Sequence, residues 1–474
     1  MAEELTPDIC VIGGGPAGIR LAIAAAGAGV PVVLIEKGAF GGANLREGAI
    51  PSKALLAAAS EYETLRRGPA FGVTAASLQI DFSTIRDHIR SVRQAVGPTV
   101  SAERLAALGA TVISAPASFA DRRTIIAGEA TIRARRSVIA TGAVLDPPRI
   151  AGLDGVAYLT AETAFDLDAK PAHLVVLGAN SRGLELAQAY NRLGVETTVL
   201  DEGPVLAGED PELAAIVLDR LRAEGVQIRD NAKIASIVGR SGGIGVSLIA
   251  AEGEVVVDGS HLLVETGRRP LVDGLGLDAA GIMHDRSGVT VDRLLKTTNR
   301  RVYAIGDAIA GPALVSRAEY EADYVSRAIL YRLPFREKAW RVPAVTFTDP
   351  AFARVGLSEE EARERHRDIR VLRYPFVEND LAQAEGLVAG VIKVIATRRG
   401  RVLGAGIVGH GAGELIALWS LVLARRLGVG DVARLVPPYP SRSEISRRAA
   451  LTFHGPGLTP PWRQRIIEFL RKFG

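Results

Sequence analysis

Cysteine is almost missing from this chain of 474 residues: Cys10 is the only one, so no internal disulfide can form. Charge of a single sign is missing too. The 57 basic and 53 acidic residues leave a net charge of only +4, without the basic footprint that nucleic acid selects, and no nucleic-acid partner is expected. No apolar run approaches the roughly 20 residues of a membrane-spanning helix. Residues 1–6 lack the basic-then-apolar pattern of a secretion signal, and the two absences together predict a cytoplasmic protein. None of the seven histidines is spaced with another as a ligand pair, so no metal site is expected.

What is present is an α/β composition, with 48% hydrophobic residues and 51 glycines. The length implies about three domains. Residues 8–12 form a short apolar run ending in Gly13-Gly14-Gly15-Pro16-Ala17-Gly18. An Ala-rich helical segment over 19–28 and a second apolar run over 30–35 follow, closing on Glu36. Strand, GxGxxG, helix, strand and acid in this order make a dinucleotide site: Gly13, Gly15 and Gly18 let backbone and helix N-terminus approach a pyrophosphate, and Glu36 can accept from a ribose. Cys10 lies inside the first strand and reads as a buried apolar residue.

The same unit recurs. Residues 174–177 lead into Gly178-Ala179-Asn180-Ser181-Arg182-Gly183, then a helix over 184–192, a strand over 197–200 and Asp201. Asp201 lies 18 residues past Gly183, as Glu36 lies 18 past Gly18. An acid at this strand end, with nothing basic over 202–208, favours NAD(H) over NADP(H). Asn180 replaces the central glycine; its tolerance of the left-handed conformation is expected to preserve the turn. Arg182 adds a permanent cation that would either clamp a bound cofactor or plug the site, and the clamp is the expectation taken forward.

Around these units, helices are expected over 52–65, with Pro51 at its start, and over 81–108. Strands are expected over 111–113, near 124–132 and over 137–142, the last ending in Thr141-Gly142. Residues 261–270, HLLVETGRRP, carry a second Thr-Gly at Thr266-Gly267. RVYAIGD over 301–307 ends on Gly306-Asp307, and a helix over 313–332 follows. Strands over 391–396 and 402–408 precede a helix over 413–426, whose run over 415–424 reads as a buried helix. A Gly/Pro linker over 454–461 leads to a terminal amphipathic helix with Trp462, Ile466, Ile467, Leu470 and Phe473 on one face. Arg463, Arg465, Arg471 and Lys472 lie off that face. Such a segment suits either an anionic membrane surface or docking on its own protein or a partner.

Gly41 to Lys53, GGANLREGAIPSK, resembles the signature of the class I pyridine nucleotide-disulfide oxidoreductases, the family of dihydrolipoamide dehydrogenase and mercuric reductase. In that family this stretch carries two cysteines five positions apart; here Asn44 and Ala49 hold those positions. The resemblance extends over nearly the whole chain. It implies an α/β fold of two Rossmann-like dinucleotide-binding domains, for FAD and NAD, plus a C-terminal α+β dimerisation domain. The divisions expected are 1–150 and 271–338 for FAD, 151–270 for NAD(H), 339–455 for the interface of a homodimer, and 456–474 for linker and tail.

By the same resemblance Ala117, Thr141, Gly142, Gly306 and Asp307 would hold FAD, and Gly178, Gly183, Asp201 and Gly267 would serve the nicotinamide cofactor. Lys53 would pair with Glu185 beside the hydride-accepting flavin. The family's catalytic His-Pro-Thr-x-Ser-Glu segment corresponds to Tyr439-Pro440-Ser441-Arg442-Ser443-Glu444, so Glu444 remains while the base is replaced. Tyr, with an ordinary pKa near ~10, can donate a proton but serves poorly as a base. The residues together imply an NAD(P)H oxidoreductase whose flavin reduces a non-thiol acceptor, with a quinone suiting the space at Ala49 and Asn44 and Tyr439 as hydrogen-bonding residues. A transhydrogenase-like enzyme and a non-catalytic FAD-bound subunit are the alternatives, and the family's thiol-dependent activities are expected to be absent.

Overall fold

The computed structural model describes residues 3–250, 253–333, 341–454 and 461–473. The chain divides into two compact units, Met1–Ala207 with Arg222–Ala339, and Gly208–Leu221 with Trp340–Gly474.

The first unit contains two parallel sheets of the same design. In one, the strand order is Val302–Ala304, Arg136–Ile139, Ile9–Ile12, Val32–Glu36 and Thr111–Ser114. Ile9 pairs with Val32 on one side and Arg136 on the other. All four residues of the Ile9–Ile12 strand are buried, as expected of a parallel strand covered on both faces. Helix Pro16–Gly27 makes the crossover, with Pro16 in its first turn, where a missing N–H costs nothing. The other sheet has the order Gln227–Arg229, Glu196–Leu200, His173–Leu177, His261–Val264, with helix Ser181–Arg192 as its crossover.

Some elements depart from expectation. Residues 81–108 do not form one helix: Phe82–Val96 is capped by Asp81, Gly97–Val100 turns as 3-10, and Ala102–Ala107 starts afresh from Ser101. Gly97-Pro98 supplies the break, since Pro98 has no N–H to continue the ladder. In the mixed sheet of Glu3–Leu5, Ala130–Ile132, Ile125–Ala127 and Ala117–Phe119 the middle two strands are those expected near 124–132, while Glu3–Leu5, Ala117–Phe119 and an antiparallel sheet of Lys233–Arg240, Gly243–Ala250 and Gly253–Gly259 add to the expected strands.

The second unit is a five-stranded antiparallel sheet, Ala344–Thr346, Ala351–Gly356, Val402–Gly409, Val391–Thr397 and Ile369–Pro375. Its core includes Trp419, Phe376, Ile392 and Ile407, and the Trp419 indole donates to Ser446 Oγ at 3.1 Å. Lys393 is buried in the sheet and answered by Asp210 at 2.7 Å, Glu359 at 2.8 Å and Glu212 at 2.9 Å, so its charge is compensated. Helix Ala412–Arg425 buries Ile416, Trp419, Val422 and Leu423. Leu421 is exposed, so the run over 415–424 is a one-faced helix in the single chain, not one buried all round.

The expected boundary at 338/339 and the core of the linker, 455–460, lie outside the described residues. The tail forms helix Pro461–Leu470 and a 3-10 turn Arg471–Phe473. Ile466, Ile467, Phe469, Leu470 and Phe473 are all exposed; Phe469 extends the apolar face read from the sequence. Among the described residues, no helix is long and apolar enough to cross a membrane.

Candidate functional site

Gly13, Glu36, Thr141-Gly142 and Gly306-Asp307 all sit at the carboxyl ends of the parallel strands of the first sheet, where open α/β sheets form their binding crevice. Gly13 has φ +116°, and a Cβ there would stand 2.3 Å from the Ala140 carbonyl oxygen; only glycine fits. A Cβ on Gly18 would meet the Gly13 carbonyl oxygen at 1.9 Å, so helix and strand end are in close contact. At Gly15 a Cβ would meet nothing within 4 Å, which leaves the helix N-terminus open to a ligand. The Glu36 carboxylate accepts from Gly14 N at 2.6 Å and Gly38 N at 2.7 Å, fixing the acid at the mouth of the turn. Thr141 Oγ1 is buried with no hydrogen-bond partner, a deficit that a bound polar group would correct. Burial holds Asp307 above the usual carboxylate range, against the pull of Arg268, Arg317 and Arg182. Gly306 N donates to Glu321 at 2.7 Å, and Ala117 lies in the short strand Ala117–Phe119. An open helix N-terminus, an anchored acid and an orphaned hydroxyl are features that FAD fits.

The stretch over 41–53 keeps a defined shape without a disulfide. It forms helix Gly42–Arg46 and the start of helix Ala49–Arg67. Arg46 donates to Ala39 O at 2.8 Å, and Arg93 donates to the Arg46 carbonyl. Glu47 pairs with Arg268 at 2.9 Å, both largely buried. Asn44 Oδ1 is buried without a hydrogen-bond partner. Glu47 and Arg268 were not singled out from sequence; they lie 221 positions apart, and neither local stretch names its partner.

Lys53 and Glu185 are brought together. Lys53 Nζ lies 2.5 Å from Glu185 Oε2, with the Glu side chain 5% and the Lys side chain 33% exposed. Lys53 comes from helix Ala49–Arg67 and Glu185 from helix Ser181–Arg192, which pack on each other.

The second turn repeats the first. Gly178 has φ +108°, and a Cβ there would stand 2.3 Å from the Glu265 carbonyl oxygen; a Cβ on Gly183 would stand 2.0 Å from the Gly178 oxygen. Asp201 accepts from Ala179 N at 2.6 Å and Gly203 N at 2.8 Å. Asn180 is not left-handed: its φ of −75° and ψ of 174° are extended, and its Oδ1 caps the helix by accepting from Arg182 N at 3.0 Å and Gly183 N at 3.1 Å. The reasoning from left-handed tolerance is therefore corrected, because the turn's positive φ is carried by Gly178. Arg182 lies 3.7 Å from Glu265, whose carboxyl is pushed up by burial against Arg182 and Arg268. Gly267 lines a cleft of about 320 Å³ with Thr266, Arg149, Arg268, Arg286 and Asp146.

Tyr439 and Glu444 belong to the second unit. Tyr439 is exposed in the single chain and donates to Asp380 Oδ2 at 3.0 Å. This hydrogen bond holds its phenol above the usual range, which makes it a weaker proton donor than an ordinary tyrosine. Glu444 is buried in the first turn of helix Glu444–Leu451. Among the described residues, no group of three or more His, Cys, Asp or Glu side chains could hold a metal ion.

Two dinucleotide-type sheets in one unit, joined through a Lys-Glu pair, define a two-nucleotide oxidoreductase fold. Residues 7–322 match the pyridine nucleotide-disulphide oxidoreductases and residues 342–450 their dimerisation domain; the chain belongs to this family, whose members bind FAD and NAD(H) or NADP(H). It is 33% identical to the dihydrolipoyl dehydrogenase of Geobacillus stearothermophilus over 451 residues, 94% of this chain and 95% of that one. It is also 33% identical to the mercuric reductase of Streptomyces lividans, over 94% of this chain and 96% of that one. Among solved structures, LpdA from Mycobacterium tuberculosis matches with a TM-score of 0.86 at 28% identity, over 94% and 99% of the two chains. The match to the dimerisation domain supports a homodimer.

Cys10 cannot stand in for a lost thiol. It is buried in the sheet and burial pushes its thiol up to about 12, so no thiolate forms at neutral pH. Iodoacetamide at pH 7 is expected to leave the folded protein unlabelled and to add one label after denaturation, read by intact mass; labelling of the folded protein would refute this burial.

Proposed function

We propose that this chain is an FAD-dependent NAD(P)H oxidoreductase that passes electrons to a non-thiol acceptor such as a quinone. Dihydrolipoamide, glutathione and mercuric reductase activities are absent in this reading, because each requires a thiol pair. The observation that carries it is the Lys53–Glu185 pair at 2.5 Å, kept beside a loop in which Asn44 and Ala49 hold the cysteine positions. A charged pair with one member this buried contributes little net stability, so packing alone accounts poorly for it.

FAD, when bound, supplies the capacity to accept and return a hydride. Glu185 fixes the Lys53 ammonium, and the ammonium presents a preorganised positive charge where negative charge develops during hydride transfer. The Glu47–Arg268 pair holds the loop that presents Asn44. Asn44 Oδ1, buried and unpartnered, is available to accept from a hydroxyl of a reduced acceptor. The overall balance is one hydride from NADH and one proton from solvent converting a quinone to its hydroquinone. NADH is favoured over NADPH because the second turn ends on Asp201 with no cation over 202–208. The Asn180 cap favours a second reading, an FAD-bound subunit without nucleotide turnover, and a transhydrogenase-like enzyme is the close variant.

On anaerobic addition of NADH, the flavin absorbance of the wild-type protein should fall. In Lys53→Met it should fall at least roughly tenfold more slowly, while dithionite reduces both equally. No response of the wild type to NADH or NADPH would favour the non-catalytic subunit, and equal rates would remove Lys53 from the hydride step.

We also propose that the terminal helix is a docking element for an anionic membrane surface. Ile466, Ile467, Phe469, Leu470 and Phe473 are exposed and Arg465, Arg471 and Lys472 accompany them, the composition of an interfacial helix. The intact protein, and not a truncation after His454, should cosediment with vesicles of phosphatidylserine and phosphatidylcholine. Equal behaviour of the two forms would end the membrane reading of this helix.

A further inference from the structure

The chain contains its own control for the second nucleotide site. Both turns follow a buried parallel strand, carry a positive-φ glycine against the next strand's carbonyl, and anchor an acid on two backbone amides at matching positions. The residue before each helix has the same backbone, φ −82° and ψ −176° at Gly15 and φ −75° and ψ 174° at Asn180. What differs is what meets the helix N-terminus. The first helix has no side-chain cap. In the second, Asn180 Oδ1 takes Arg182 N and Gly183 N, while Asn180 Nδ2 donates to the Glu265 carbonyl and ties the turn to the neighbouring strand end.

We infer that Asn180 sets the affinity of the second site for the pyrophosphate of a pyridine nucleotide, by occupying helix amides that the pyrophosphate would otherwise take. This rests on the reading of that site as the NAD(H) site. A phosphate oxygen arriving at open amides gains hydrogen bonds and the favourable end of the helix dipole. At a capped terminus it must first displace the asparagine, exchanging one set of bonds for another and breaking the link to Glu265. The adenosine end, held by Asp201, is untouched by this competition. The site therefore discriminates against the pyrophosphate and leaves the adenosine end unaffected. The cost of removing the cap is small for the fold, because glycine is itself tolerated at this position, and Gly15 shows it in the same geometry.

The test is equilibrium binding to the FAD-loaded protein. ADP-ribose, which has the pyrophosphate but no nicotinamide, should bind Asn180→Gly about tenfold more tightly than wild type, the scale of one recovered charge-assisted hydrogen bond. Asn180→Asp, which keeps the cap and adds negative charge, should bind it more weakly than wild type. Adenosine should bind all three alike. Equal or weaker ADP-ribose binding by Asn180→Gly would overturn the inference while leaving the site's identity intact, as would an equal gain for adenosine. Failure of every variant to bind ADP-ribose would sink the nucleotide reading of the site and the inference with it.

Discussion

The contact between Lys53 and Glu185 joins a helix that leaves the first dinucleotide fold to the crossover helix of the second. Glu185 is almost wholly buried and Lys53 only partly so; breaking such a pair by removing one partner leaves a charge uncompensated, at a cost of order 3–5 kcal/mol when both members are fully buried. That constraint orders much else in the first unit. Helix Ala49–Arg67 must begin close to the second turn, and the preceding loop must reach it in a fixed path. In this family a disulfide ordinarily lies in that loop. Here Arg46, Arg93 and the Glu47–Arg268 pair hold it by hydrogen bonds and charge, so the loop is held without a disulfide.

The two halves of the proposed reaction are thus differently preserved. On the donor side stand the Lys-Glu pair, the two glycine turns and the two anchored acids. On the acceptor side of that reading, Asn44, Ala49 and Tyr439 stand where the resemblance places the groups that thiol exchange needs, and Cys10 lies buried within a sheet. These losses are consistent with one another: a base that serves only thiols has no purpose once the thiols are gone.

Much of this was legible in sequence because local sterics govern it. A strand followed by GxGxxG, helix, strand and acid has few other ways to fold, and the repeat at Gly178 announced the second sheet. The strands over 233–259 were not legible. Val238, Ile249, Val255 and Val256 are exposed there, which blurs the alternation that marks a half-buried strand. Gly97-Pro98 breaks the helix expected over 81–108, and the helical pattern on both sides of it conceals the break. Least legible were contacts spanning long stretches of chain, such as Arg268 to Glu47 across 221 positions and Asn180 to Glu265 across 85. Nothing in their local sequence states which distant group they meet, and the role of Asn180 as a cap emerged only from the turn's actual dihedrals.

The central claim is that electrons leave the protein without passing through sulfur. Protein reduced anaerobically with a stoichiometric amount of NADH and then mixed separately with a quinone, lipoamide and oxidised glutathione tests it most directly. Reoxidation by the quinone alone is the predicted result; recovery of the oxidised flavin spectrum with either disulfide, or no recovery with the quinone, would contradict the account.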